Sequence, residues 1–458
     1  MPPAPIADGS TPAPRLMPVL FIGVFMAALD TAVIAPAIPV LRQSFDLDNR
    51  AAGLLTIVFV LASLASTALL ANLGDRHGRR PVFLGSVALF ALGSLVVAAS
   101  PSYSLLLVGR AIQGMGGGGI IPTASAVIGD ALPPHQRGRA LGLIGAVYGM
   151  AFVLGPPLAA LAIVVASWHW IFLANLPIAA LVMVMGRRAL PVQRRAGPLP
   201  PLDWPGVLLL FLLLCALVLG INQVTAASTW LLAAVPPLLL ALVAAERRAA
   251  QPMVPLALFG RRQLALTYLL TAGAGFGMGG VIFLAALAHH AHGVDRSHGG
   301  FVLLPLVLCS MFGSMAAGRL INRLGPRSII LAGFAMLALG YGGVAILQLG
   351  LWGWLVATLP LGLGIGIVVG GALRGIAIDE APPAQRGAAQ GLVNICTSIG
   401  TLLAAAAIGA LADFAGGQAA GLGLAYAMVA LVMLAMLITT LALRKPAALA
   451  DEAARAAS

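Results

Sequence analysis

Residues 26–41 read MAALDTAVIAPAIPVL, and Asp30 is the one ionisable side chain in that run. A charge at the centre of a membrane helix costs about 2.5–3.5 kcal/mol on insertion scales. A carboxylate avoids that cost by taking a proton, because burial favours its neutral form. The chemistry open to Asp30 is therefore reversible protonation. A hydrogen bond between helices is the plainer structural alternative, although acids inside membrane segments are functional by default. Pro36 and Pro39 follow within nine residues and are expected to loosen the chain beside it. Arg110, in VGRAIQGMGGGG, is a second charge inside an apolar run. A guanidinium does not deprotonate, so in lipid it needs a partner, a water-filled cavity or a path by which to snorkel outward. Asp30 is the only acid in the interior of any apolar run and is the one buried acid open to it.

Other chemistries find little support. His289, His290, His292 and His298 cluster in sequence. With no second ligand group spaced to match, they read as exposed polar caps and not as a metal site. Cys215, Cys309 and Cys396 each stand alone in apolar runs, as small packing residues do. A phosphate-binding loop needs Gly-Lys-Ser/Thr, and the sole lysine is Lys445 near the C-terminus. No GxSxG, HExxH or second interior acid is present. The chain reads as a non-enzyme that needs no cofactor or metal.

The elements that position Asp30 and Arg110 are membrane helices. The chain is 60% hydrophobic and 9% charged, with mean hydropathy +1.02, against about a quarter charged in soluble proteins. Apolar runs of crossing length, about 20 residues, fall at 17–41, 51–72, 81–99, 104–130, 140–164, 170–186, 204–221, 230–246, 263–290, 299–321, 328–348, 352–378, 389–412 and 421–443. The expected fold is all-α and polytopic, with fourteen transmembrane helices. If the N-terminus is cytoplasmic, alternate loops hold 20 Arg/Lys on that side, and the other side has Arg42, Arg50 and Arg296. That asymmetry follows the positive-inside rule and makes both termini cytoplasmic. The net charge of +12 is thus topological; no basic face suggests nucleic acid. All six tryptophans, Trp168, Trp170, Trp204, Trp230, Trp352 and Trp354, fall at or beside span ends, where interfacial anchors belong. Arg319 and Arg374 lie near cytoplasmic span ends and read as anchors too.

An internal repeat divides the chain. GDALPPHQRGRALGLIG (129–145) matches IDEAPPAQRGAAQGLVN (378–394), pairing Asp130 with Asp379 and Arg137 with Arg386. ANLGDRHGRRPVF (71–83) matches GRLINRLGPRSII (318–330), with Asn322 where the first copy has Asp75. The offset is eight spans, so two halves of six flank an inserted pair. The expected organisation is a cytoplasmic tail 1–16, a six-helix bundle 17–186, a linker with two extra helices 187–262, a second six-helix bundle 263–443, and a tail 444–458. An even offset makes the halves parallel repeats, an arrangement that puts a substrate site near the midplane between them. Glycine-rich GMGGGG (114–119), GAGFGMGG (273–280) and GLGIGIVVGG (362–371) would let helices pack closely.

Four motifs together resemble the major facilitator superfamily, and specifically its fourteen-span drug:proton antiporter branch. LDTAVIAPAIP resembles the first-span signature through Leu29, Asp30, Ala37 and Pro39, with Ala35 in place of the family's Asn. NLGDRHGRR resembles the loop between spans 2 and 3, with Asp75, Arg76, Gly78, Arg79 and Arg80 in register. RAIQGMGGG resembles the fourth-span motif through Arg110, Gln113 and Gly114. AFVLGPPLAA resembles the fifth-span antiporter motif through Gly155 and Pro156, with Ala151, Ala159 and Ala160 where glycines are usual.

The resemblance implies two six-helix bundles plus two inserted helices in the bacterial inner membrane. It implies proton-driven efflux of amphipathic or cationic drugs or small metabolites, with the proton gradient as energy source and no cofactor. Nutrient uptake by symport is the alternative on the same fold, and an intramembrane enzyme a more distant one. Asp30 would carry the proton and Arg110 would tune its affinity. Asp75, Arg76, Gly78, Arg79 and Arg80 would form a cytoplasmic gating latch. Gln113, Gly114, Gly149, Gly155 and Pro156 would line the cavity or the antiporter helix, with Gly145 and Pro157 sharing a bend. The partners expected are a small-molecule substrate and lipid, not nucleic acid. A monomer suffices, and a periplasmic adaptor is not indicated. The scheme requires that Asp30 reach the central cavity or an aqueous face.

Overall fold

The computed structural model describes residues 13–47, 49–192, 203–222, 226–249, 252, 254–294, 302–346, 350–414 and 418–444. His298, residues 193–202 of the linker and the chain beyond 444 lie outside the described residues. Among them every regular element is helical: α1 Ala13–Phe45, α2 Asn49–His77, α3 Arg79–Ala98, α4 Tyr103–Ala131, α5 Pro134–Val165, α6 His169–Leu173, α7 Asn175–Ala189, α8 Trp204–Asn222, α9 Ala226–Arg248, α10 Arg262–Gly280, α11 Leu284–His292, α12 Leu304–Ala345, α13 Gly350–Ile367, α14 Leu373–Glu380, α15 Arg386–Phe414 and α16 Gln418–Thr440. A π-helical segment, Val368–Ala372, joins α13 to α14.

Thirteen helical stretches among the described residues are long and apolar enough to cross a bilayer. One of them, α12, has 42 residues. At 1.5 Å per residue it is about 63 Å long, about twice a hydrocarbon core. It breaks where the sequence puts a loop, at Gly325 (φ 76°, ψ 155°), with Pro326 following. Gly78, between α2 and α3, has nearly the same backbone (φ 95°, ψ 156°). The two glycines are counterparts in the internal repeat, and both occupy a region essentially closed to other residues. The repeat is therefore structural: the same turn is made twice.

Several expectations change in detail. The helix α1 begins at Ala13, inside the stretch read as a tail. Neither Pro36 and Pro39 in α1 nor Pro156 and Pro157 in α5 interrupts its helix. Trp170, Trp204, Trp230 and Trp352 are exposed, as anchors should be, but Trp168 and Trp354 are buried. Trp168 packs on Phe45 and Phe172, and Trp354 lies beside His292. The position of a residue near a helix end does not fix which way it points.

Buried apolar clusters follow the repeat. Two lie in the first half, around Phe83, Phe90 and Val127 and around Leu41, Leu55 and Phe172. A third lies in the second half, around Phe334, Tyr341, Trp354 and Tyr426. The inserted helix α8 joins a fourth, setting Leu210, Leu214 and Val218 among Leu64 of α2 and Leu392 and Val393 of α15. It thereby covers the line where the halves meet. The glycine-rich runs do bring backbones together: a Cβ at Gly114 would run into the Phe59 carbonyl oxygen, and one at Gly366 into that of Ser310.

Candidate functional site

Five helices of the first half build the pocket around Asp30. α4 supplies Arg110 and Gln113, three residues apart and so on one face. α3 supplies Ser94, α7 supplies Asn175, and α2 supplies the Leu55 carbonyl and the Phe59 ring. Gly93 makes this possible, because a Cβ there would run into the backbone of Gln113. Arg110 NH1 donates to Asp30 Oδ2 at 2.8 Å and to Gln113 Oε1 at 2.7 Å, and its Nε donates to the Leu55 carbonyl at 3.2 Å. The guanidinium carbon lies 4.3 Å from the Phe59 ring centroid. Gln113 Nε2 donates to Asp30 Oδ1 at 2.6 Å and to Ser94 Oγ at 2.9 Å. Asn175 Nδ2 donates to the same two oxygens, at 3.3 and 3.2 Å. Ser94 spends its own proton on the Phe90 carbonyl at 3.0 Å. Asp30 and Arg110 are each 1% exposed.

Every described polar neighbour of the carboxylate is a donor: Arg110, Gln113 and Asn175. The expectation that Asp30 and Arg110 meet holds. The requirement that Asp30 reach a cavity or an aqueous face is not met in this conformation, where its side chain is fully buried, so proton exchange requires the packing around it to open.

A second polar network closes the seam between the halves at the 73–80 loop. Asp75 pairs with Arg79 and accepts the backbone N–H groups of Gly387 at 3.0 Å and Ala388 at 2.9 Å, at the start of α15. That is the positive end of a helix dipole, where a carboxylate is stabilised. Arg79 continues to Asp130 at 3.0 Å, and Asp130 to Arg386 at 3.1 Å. Arg386 also donates to the Gly129 carbonyl at 3.0 Å. Arg137 meets Asp379 at 2.7 Å. The two cross-seam pairs, Asp130 with Arg386 and Asp379 with Arg137, are exchanged partners of the internal repeat. The copies are not equal, since Asn322 and Pro326 replace Asp75 and Arg79, and Asn322 donates to the His135 carbonyl instead.

The sequence profile described as Major Facilitator Superfamily matches residues 20–381. The chain belongs to that superfamily. It is therefore a polytopic membrane transporter. It is 33% identical over 401 residues to the uncharacterized MFS-type transporter YfiU of Bacillus subtilis, covering 84% of this chain and 76% of that one. It is 29% identical to the tetracenomycin C resistance and export protein of Streptomyces glaucescens, covering 87% and 76%. It spans 52% of the length of two Mycobacterium tuberculosis transporters of the superfamily at 28% identity. Among solved structures, the proton:xylose symporter XylE superposes with a TM-score of 0.66 at 16% identity, covering 93% of this chain and 94% of that one. That likeness concerns the fold alone.

Within the transporter, the remaining sequence-marked residues scatter. Gly149 faces Met311 of α12 across the seam, and Gly155 packs on Ala32 of α1, where a Cβ would crowd that alanine. Pro156 is exposed. None of the three joins the Asp30 pocket. Arg80 donates to the Arg187 carbonyl, and Arg76 is buried with its Nε unpartnered. Arg319 is exposed, as an anchor should be, but Arg374 is 8% exposed and is no anchor. His289 Nδ1 lies 2.8 Å from the Val294 carbonyl oxygen, and His290 is exposed. His292 is half-buried against Trp354, and burial holds its imidazole below the usual range. No metal-holding group of three such side chains occurs among the described residues. Ser94 is the pocket member without a sequence signal. Asn175 is an amide within an apolar run, and nothing in the sequence ties it to Asp30.

Proposed function

We propose that the transporter is a proton-coupled antiporter of the fourteen-span drug:proton branch. α12 counts as two crossings, both termini are cytoplasmic, and the inserted pair α8 and α9 is added to two six-helix bundles. It sits in the bacterial inner membrane, works as a monomer and draws on the proton gradient with no cofactor. Its cargo is an amphipathic compound, a drug or a small metabolite, moved outward. The relative named for tetracenomycin C resistance and export supports the direction.

One observation carries the coupling: Asp30 sits among donors alone, paired with Arg110. Protonation removes the charge that holds Arg110 and weakens this conformation against one in which the pocket opens. In the proposed orientation the sealed 73–80 end faces the cytoplasm, so this state is closed to the inside. Protons would load Asp30 from outside, and cargo arriving from inside would displace them.

The test uses purified transporter in proteoliposomes with an imposed pH gradient and amphipathic dyes of either charge, ethidium and fluorescein, whichever is transported serving as probe. Probe should move against the proton flux, and Asp30→Asn should abolish that dependence while the protein remains folded. Probe movement with the proton flux would favour symport, and a fully coupled Asp30→Asn variant would remove Asp30 from the mechanism.

A further inference from the structure

Arg374 presents a buried cation that the coupling scheme does not use. It stands in α14, the second residue after the π-helical segment Val368–Ala372. π-Helical turns within α-helices concentrate at functional sites. α14 packs against α4 and α5 of the first half and against α10, α12 and α15 of the second, so Arg374 stands at the seam between the halves, about 8 Å along the helix from Asp379 of the sealed end and on the inner approach to the midplane where such transporters bind cargo. Its NH1 is buried and has no hydrogen-bond partner. Tyr148 of α5, half-buried, is the titratable group in electrostatic reach from across the seam. Gln390 of α15 ties itself to the Arg374 carbonyl at 3.0 Å, leaving its own buried Oε1 without a partner.

An unpaired buried guanidinium N–H is expensive. A guanidinium is also the side chain best shaped to grip a carboxylate in a fork. We propose that Arg374 is a cargo-binding residue, and that it selects amphipathic compounds bearing a carboxylate. Tyr148 and Gln390 flank the bound group from the two halves. This rests on the antiport reading only in taking the seam as the cargo site. It narrows that reading, because a permanent cation would be repelled here.

The experiment measures equilibrium binding to the purified full-length transporter in detergent, with no pH gradient. The probes are benzoate, 2-naphthoate and fluorescein, with 2-naphthamide as the uncharged match and tetraphenylphosphonium as the cation. Wild-type protein should bind at least one carboxylate saturably, and 2-naphthoate more tightly than 2-naphthamide. Arg374→Gln should weaken carboxylate binding about 10- to 100-fold, the range for losing a hydrogen bond to a charged group. It should leave the thermal midpoint unchanged or raised, since an unpaired charge has gone. Arg374→Lys should keep part of the affinity, and it decides the matter if Arg374→Gln does not fold. Three results overturn the proposal: wild type binds none of the carboxylates, it binds the amide as tightly as the acid, or the variants bind as wild type does. A failure of proton coupling shows only in gradient-driven transport and through Asp30, so the two failures are distinguishable.

Discussion

Replacing Asp30 by Asn changes almost no volume and removes one charge. The structure sets the consequence. Arg110 NH1, Gln113 Nε2 and Asn175 Nδ2 all donate to the carboxylate. An asparagine in either flip turns its own NH₂ toward a donor, so at least one contact is lost. Removing one partner of a buried ion pair costs about 3–5 kcal/mol. Arg110 keeps the Gln113 and Leu55 oxygens and the Phe59 face, which argues for the lower end, about 3 kcal/mol. At about 1.36 kcal/mol per tenfold, the sealed conformation loses a factor of about 150. Thermal melts of wild type, Asp30→Asn, Arg110→Gln and the double variant form a cycle, and a coupling near 3 kcal/mol is expected. In proteoliposomes Asp30→Asn should exchange probe across the membrane but ignore a pH gradient. A coupling below about 0.5 kcal/mol, the level expected of independent sites, would refute the reasoning, as would gradient-driven transport equal to wild type.

Three other outcomes follow from the geometry. Asp130→Ala frees both Arg79 and Arg386 at the seam. In a background without native cysteines, Ser314→Cys should then react with a maleimide about tenfold faster, since Ser314 is fully buried against Gly142 while the seam is closed. Gly78→Ala and Gly325→Ala should each cost about 1–3 kcal/mol in unfolding experiments, because both glycines hold a backbone closed to other residues. Arg374→Gln should lose carboxylate binding without losing thermal stability, as measured by equilibrium titration and melting.

The charged pair of the pocket was legible because lone charges in apolar runs have few partners. With one interior acid and one arginine deep in another span, Asp30 and Arg110 had to be paired or solvated. Gln113 lies three residues from Arg110 and came with the same motif. Ser94 carried no signal, since a serine in a membrane helix can satisfy itself on its own backbone. Asn175 is one amide in an apolar run, and its meeting with Asp30 depends on how α7 stands against α1 and α3. Arg374 shows the limit most clearly. Its place near a span end suggested snorkelling, yet α14 runs through the seam, and the radial direction of a side chain is set by neighbours far away in sequence. The exchange of Asp130 and Arg137 with Arg386 and Asp379 was hidden for the same reason: the repeat aligned the residues, and only the placement of the halves pairs them crosswise.

The two polar networks share one element. α4 carries Arg110 and Gln113 in its first half and Asp130 one residue from its end. The separation of 20 residues is about 30 Å. By intrinsic propensity α4 should be a poor lever, since GMGGGG puts five glycines in its middle and each costs about 1 kcal/mol relative to alanine. What stiffens it is outside it. Gly114 and Gly118 lie against backbone carbonyls of α2, and Gly116 against the backbone of α3, so the three helices are packed backbone to backbone. A two-state element biased from both ends is the physical basis of coupling between distant sites. The glycines thus trade local helix stability for backbone contact, and the contact makes α4 a rod. If that is the link, Asp30→Asn must speed labelling of Ser314→Cys at the far end, in the same direction as Asp130→Ala. Labelling that stays at the wild-type rate in Asp30→Asn while Asp130→Ala speeds it would show that the pocket and the seam switch independently.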